Sequence, residues 1–214
     1  MTSLPTILIK ATAVNNLTTA RYFAAIGAEW IGFNFDAKYA RAIDTQIAFE
    51  LMTWLSGPRF VGEMGDLPLE TINTLADELQ LGVIQTNIYL EKNALSPTVE
   101  AVIRRIPLDL LSLQAEDLHQ IVESESGIAQ FFIDAGHLHW EQVKHAAPEI
   151  ARALVEICAK YPVILGIKPL YEDIAVALKN LPIIGISVES GEELSTGMQD
   201  FEAIDILLEK LDSH

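Results

Sequence analysis

Eight short apolar runs recur along the chain at residues 7–10, 30–35, 60–63, 82–85, 108–113, 129–134, 162–166 and 183–188, each followed by small or polar residues. Helical stripes lie between many of them. Leu17, Ala20, Phe23 and Ala24 share one face, with Asn15 or Asn16 as cap and Gly27 as stop. Leu69, Ile72, Ala76 and Leu79 follow Pro68, Ile174, Leu178 and Leu181 precede Pro182, and Phe201, Ile204, Leu207, Leu208 and Leu211 close the chain. Strand and helix alternating in this way require a parallel sheet covered by helices. Eight such units in roughly 200–250 residues predict a (β/α)8 barrel, the TIM-barrel architecture. A doubly wound sheet has fewer strands and often a Gly-rich first turn, which Ala11-Thr-Ala-Val14 does not supply. With 214 residues, half of them hydrophobic, the whole of 1–214 reads as a single domain. The stretch 88–107 fits the repeat least well, because Tyr89-Leu-Glu-Lys-Asn-Ala-Leu-Ser-Pro97 breaks the expected short loop.

The formal charge of −16 makes nucleic acid or an anionic membrane a poor partner, since binding either needs cations to meet phosphates. A small anionic ligand remains compatible, because a local cradle of N–H groups outweighs a screened distant field. No apolar run approaches the roughly 18–20 residues that cross a bilayer. The N-terminus lacks a cationic stretch followed by an apolar one, so cytoplasmic residence is expected. Cys158, the one cysteine, lies in a helical pattern and reads as a small buried hydrophobe. Nothing in the pattern calls for a cofactor, and the oligomeric state, monomer or homodimer, is open.

In a barrel of this type chemistry belongs at the carboxyl ends of the strands. Those ends carry Lys10 and Thr12, Asn34 and Asp36, Glu63, Gln85 and Asn87, Gln114, Asp134, Lys168, and Glu189 with Ser190. Asp134 ends the apolar run Phe131-Phe-Ile133, where a partly desolvated carboxyl suits proton donation, or alternatively caps the next turn. Asp134-x-x-His-x-His139 places two histidines on one face of an extended segment, as a divalent metal would need, but without a further His or Cys ligand the pair reads rather as two surface-loop histidines. Arg41, just past the second strand, is placed either to hold a carboxylate with two hydrogen bonds or to stand as an exposed loop cation. Gly166-Ile-Lys168 and Ser190-Gly191 end the last two strands, where backbone N–H groups often hold phosphate. Glu189, Glu192 and Glu193 oppose that role by charge, and the run reads alternatively as a solvated loop.

These residues resemble the phosphoribosylanthranilate isomerases of tryptophan biosynthesis. Lys10-Ala-Thr-Ala-Val-Asn-Asn-Leu-Thr-Thr-Ala20 is similar to that family's opening Lys-Ile-Cys-Gly-Ile-Thr and the Asn-Leu-Glu-Asp-Ala that follows. Gly27-Ala-Glu-Trp-Ile-Gly-Phe-Asn-Phe35 looks like its Gly-Ala-Asp-x-x-Gly-Phe-x-Phe, and Lys38, Arg41 and Ile43 fall on Lys-x-x-Arg-x-Ile. Gln85 matches the start of Gln-Leu-His-Gly, Asp134 the end of Leu-Leu-Asp, and Ser190-Gly191, Gly197 and Asp200 the closing motif. The resemblance implies a TIM barrel that rearranges a phosphoribosylamine to a ketose without cofactor or metal. It gives Asp134 the general acid role and Arg41 the anthranilate carboxylate, with Lys10, Gln85, Gly166, Ser190 and Gly191 binding a small phosphorylated substrate.

The chain departs from the pattern at one face. The base cysteine is Thr12, whose hydroxyl is far too weak an acid to supply a base at neutral pH. The histidine of Gln-Leu-His-Gly is Asn87, a Gly-Gly is Gly166-Ile167, and the first serine of Ser-Ser-Gly is Glu189. Three readings follow: an isomerase with a replacement base drawn from Glu63, Glu189 or His137, a barrel that binds or assembles without turnover, and a metal-dependent hydrolase using His137 and His139.

Overall fold

A computed structural model of the chain describes residues 7–136, 138–166, 170–189, 193–195 and 198–212. Eight parallel strands close into a barrel in sequence order: β1 (Leu8–Thr12), β2 (Trp30–Asn34), β3 (Arg59–Gly65), β4 (Val83–Thr86), β5 (Ala101–Pro107), β6 (Gln130–Asp134), β7 (Val163–Gly166) and β8 (Gly185–Glu189). The first and last strands pair from Leu8 with Gly185 to Thr12 with Glu189, which closes the cylinder. The expected (β/α)8 barrel is the fold.

Around it run α1 (Leu17–Ala25), α2 (Thr45–Thr53), α3 (Leu69–Glu78), α4 (Ala115–Ser124), α5 (Trp140–Ala146), α6 (Pro148–Lys160), α7 (Leu170–Asn180) and α8 (Glu202–Asp212). Local chemistry sets several of their ends. Asn16 accepts the Thr19 N–H at 2.9 Å, and Gly27 takes the left-handed backbone (φ +77°) that stops α1. Asp44 caps α2 and Pro68 opens α3.

The helices are not distributed one per strand. Between β4 and β5 the described chain has only a 3-10 turn at Lys92–Ala94, whereas α5 and α6 both follow β6. The loop lacking a helix is fastened to α3 instead: Asn73 accepts the Ser96 N–H at 2.8 Å, and Asp77 takes the hydroxyls of Ser96 and of Thr98, the latter at 2.8 Å. A short hairpin, β9 (Glu193–Ser195) with β10 (Met198–Gln199), follows β8.

One expected strand is wrong. Residues 108–113 form a turn with Leu111 94 % exposed, and the fifth strand is Ala101–Pro107, inside the stretch that fitted the repeat least. Arg104 and Arg105 interrupt its apolar run and conceal it.

Side chains alternate in and out along each strand. Trp30, Val61, Val83, Ile103, Phe132 and Ile164 fill the interior in one apolar cluster, joined by Leu8, Ala101 and Ile184. Toward the carboxyl ends the same faces turn polar, with Lys10, Thr12, Glu63, Gln85, Arg105, Asp134 and Ser187. The outward residues pack against the helices in a second, larger core that includes Phe33, Ile84, Ile133 and Leu165. No helix among the described residues is long and apolar enough to cross a membrane.

Candidate active site at the barrel mouth

The first polar group is built on β1, β3 and β8. Lys10 is fully buried, and its ammonium donates to Glu63 Oε1 and to Thr12 Oγ1, the latter at 2.8 Å. Glu63 Oε2 accepts the Ala13 N–H at 3.1 Å, and Thr12 Oγ1 lies 2.6 Å from Ser187 Oγ. Lys10 Nζ also sits 5.4 Å from the Phe132 ring centre, which joins this group to the β6 side of the interior. Gly32 is required beneath it, because a β-carbon there would overlap Glu63 Oε1. Since the ammonium only donates, Thr12 Oγ1 is an acceptor toward Lys10, and its own proton is directed to Ser187 or away. Thr12 is therefore a link in a hydrogen-bond chain.

The second group spans the opposite side of the mouth. Arg105 donates from Nε (3.0 Å) and Nη2 (2.6 Å) to the same oxygen of Asp134, Oδ2, and from Nη1 to Asn87 Oδ1 at 3.1 Å. Asp134 Oδ1 accepts the Gly136 N–H at 3.0 Å. The guanidinium carbon lies 5.4 Å from the centre of the Tyr39 ring. Tyr39 donates to Asp66 Oδ2 at 2.8 Å and accepts from Asn87 Nδ2 at 2.7 Å. Desolvation, helped by Asp66, raises the Tyr39 phenol above its ordinary range, so it stays a neutral donor across the physiological range.

The turn that carries Tyr39 and Arg41 is held from below. Asn34 Nδ2 donates to the carbonyls of Tyr39 (3.3 Å) and Ala40 (2.9 Å), while Asp36 accepts the N–H groups of Lys38 and Asp66, each at 3.0 Å. Arg41 adopts a left-handed backbone (φ +59°), unusual for a residue with a side chain.

The sequence-derived candidates thus fall as follows. Lys10 and Thr12 on β1, Gln85 on β4, Asp134 at the end of β6 and Gly166 at the end of β7 share one rim of the barrel, with Arg41 on the turn after β2. Gln85 is buried, and its Oε1 has no hydrogen-bond partner among the described residues. Gly166 pairs with Asp134 across β6 and β7, and a β-carbon on it would stand 2.7 Å from the Phe132 ring and 3.5 Å from Asp134 Oδ1. Its lack of a side chain thus serves packing against Phe132 as well as close approach. Glu189 ends β8 opposite Thr12. Ser190 and Gly191 lie outside the described residues, as do His137, Ile167, Lys168 and Gly197.

His139 stands at the entrance of α5, where its N–H donates to Gln142 Oε1 at 2.8 Å, and among the described residues no three His, Cys, Asp or Glu side chains gather as metal ligands. The expectation of Cys158 as a buried hydrophobe fits its site: burial in α6 pushes the thiol up to about 12.

Sequence reading missed Arg105, Ser187 and the role of Tyr39. The signal for Arg105 was present in period-two alternation, since 101, 103 and 105 share a face with the barrel interior.

No protein-family model matches the sequence. The N-(5'-phosphoribosyl)anthranilate isomerase of Pelodictyon phaeoclathratiforme (strain DSM 5477 / BU-1) is 29 % identical over 204 residues, covering 90 % of this chain and 91 % of that protein. Among solved structures, dimeric phosphoribosylanthranilate isomerase from Thermotoga maritima, in mutually generated monomers, superposes with a TM-score of 0.73 at 17 % identity, over 97 % of this chain and all of that one. A phosphoribosylanthranilate isomerase in complex with reduced 1-(o-carboxyphenylamino)-1-deoxyribulose 5-phosphate superposes with a TM-score of 0.72 at 17 % identity and the same coverage. At these identities the structures establish the fold, and the sequence relative adds similarity over nine-tenths of the chain. By sequence and by fold together, this chain is similar to the phosphoribosylanthranilate isomerases.

Proposed function

We propose that the protein is an isomerase of the phosphoribosylanthranilate isomerase type, carrying out an Amadori rearrangement of a phosphoribosylated aryl amine to the corresponding ketose. The observation that carries this reading is the gathering of Asp134, Lys10, Glu63 and Gln85 on the same rim of the barrel, in a chain 29 % identical to such an enzyme. The rearrangement needs a proton delivered to the sugar ring oxygen, which opens the ring to an iminium. It then needs the proton on the neighbouring carbon removed, giving an enolamine that becomes the ketose. Asp134, at the end of β6, supplies the first proton as general acid.

Thr12 does not remove the second proton, because its oxygen accepts from the Lys10 ammonium and lies against the Ser187 hydroxyl. The base role falls to Glu63, the carboxylate joined to Thr12 through Lys10. Lys10 positions Glu63 and lowers the energy of the charge it carries. Gln85 Oε1, buried without a partner among the described residues, is suited to accept from a sugar hydroxyl or the substrate amine. Arg41 lies on the turn after β2 beside this mouth, and the ends of β7 and β8, at Gly166 with Ser190 and Gly191, take the phosphate. Cytoplasmic residence and a monomeric or homodimeric state belong to the same reading.

A binding barrel without turnover is the competing reading, favoured by one observation: three N–H donors surround Asp134, so it stands as an acceptor. Complementation of a tryptophan auxotroph lacking this isomerase separates the two. Growth that is lost in Asp134→Asn supports the isomerase, whereas folded protein without growth supports the binding barrel.

A further inference from the structure

Arg105 presents its Nε–Nη2 edge to a single oxygen of Asp134. That edge matches a carboxylate that offers two oxygens side by side. The second oxygen of Asp134 is instead turned to the Gly136 N–H. The pair is therefore monodentate on the acid, and a ligand offering both oxygens makes the better partner.

The guanidinium is also held without Asp134. Asn87 accepts its Nη1, the Tyr39 ring packs at 5.4 Å, and Tyr39 is fixed by Asp66 and Asn87. Removing Asp134 from this arrangement leaves a preset cation at the mouth. Both side chains are about one-fifth exposed, 21 % for Arg105 and 22 % for Asp134, so a ligand can reach them.

We infer that Arg105, rather than the Arg41 to which the resemblance gives this role, is the receptor for the carboxylate of the aryl amine, and that the incoming carboxylate displaces Asp134 from it. Asp134 Oδ2 then loses two N–H donors, takes up a proton from water and is ready to donate it to the sugar ring oxygen. Apart from that proton uptake no covalent bond is made or broken in this step, and the ion pair simply changes partner. Arg105 so links recognition of the substrate to readiness of the acid, and an aryl amine lacking the carboxylate leaves Asp134 engaged. This inference rests on the isomerase reading above and adds to it the residue that selects the substrate's acid group.

Calorimetric titration tests it with two probes: reduced 1-(o-carboxyphenylamino)-1-deoxyribulose 5-phosphate and the counterpart with phenyl in place of carboxyphenyl. Wild type binds the carboxylate probe more tightly. Arg105→Gln lowers that affinity about ten- to hundredfold and leaves the phenyl probe unchanged, as expected for loss of a charge-assisted pair. Arg105→Lys keeps the charge without the fork and falls between. Asp134→Asn binds the carboxylate probe several-fold more tightly, because the competing anion is gone. Wild-type discrimination retained in folded Arg105→Gln and Arg105→Lys overturns the inference and leaves the isomerase reading standing. Failure of wild type to bind either probe overturns the isomerase reading itself, and this inference with it.

Discussion

The Lys10–Glu63 pair gives the sharpest test of how the barrel interior is held. Lys10 has no exposed side-chain surface and Glu63 only 7 %, so solvent screening does little for either charge. Removing one partner of such a buried pair leaves the other uncompensated and costs about 3–5 kcal/mol. Lys10→Met strands the Glu63 carboxylate with only the Ala13 N–H at 3.1 Å. Glu63→Gln keeps an acceptor for Ala13 but leaves the ammonium facing neutral oxygens. At about 2–4 °C per kcal/mol for a chain of 150–250 residues, each single change lowers the melting temperature by roughly 6–20 °C. The double variant Lys10→Met with Glu63→Gln removes both charges. Its loss therefore falls short of the summed single losses by about 2–3 kcal/mol, at the upper end of couplings between contacting residues. Urea denaturation of the four proteins, followed by circular dichroism, measures the cycle. Single losses that add to the double loss within about 0.5 kcal/mol would refute the buried pair.

Three further outcomes follow from the same barrel. Gly32→Ala pushes its new methyl into Glu63 Oε1 and displaces the carboxylate, so turnover falls by at least tenfold while stability falls by about 1–3 kcal/mol, as overpacking does. Steady-state kinetics beside a melting curve separates the two effects. Cys158, buried and pushed up to about 12, holds almost no thiolate at pH 8, so it reacts with a disulfide reagent slowly in native protein and fast in denaturant; equal rates would show the thiol accessible. Asp77 is held below the ordinary carboxylate range, first by the Ser96 hydroxyl and then by Thr98. A lowered folded value gives stability that is present above the unfolded value and lost as pH falls through the folded one. Protection of residues 95–98 from hydrogen exchange is expected to decline over that acid window in wild type, and to be weak at every pH in Asp77→Ala.

Much of the architecture could be read from residues alone. Seven of the eight strands lie where the apolar runs stood, and Asn16, Gly27 and Pro68 end or open helices as their chemistry requires. The fifth strand escaped because its polarity is satisfied far away in sequence. Arg104 points outward to Glu125, with Nε to Oε2 at 2.8 Å, and Arg105 points inward to Asp134. Neither partner is visible in a local window, whereas 108–113 looked like a strand on apolar content that includes the exposed Leu111. The site shows the same division. The rim positions of Thr12, Gln85 and Asp134 followed from strand ends. The pairings that decide their chemistry, Lys10 with Glu63 across 53 positions and Thr12 with Ser187 across 175, follow only from closing the barrel.

On the proposed reading, this rim of the barrel moves protons on a phosphoribosylated aryl amine. Incubating the purified protein with N-(5'-phosphoribosyl)anthranilate and following the sugar carbons by nuclear magnetic resonance tests it directly. The aldose signals are expected to convert to those of the ketose, at a rate that falls by about 10²–10⁴-fold in Asp134→Asn and in Glu63→Gln. Folded wild-type protein that binds this substrate and leaves its sugar signals unchanged would contradict it.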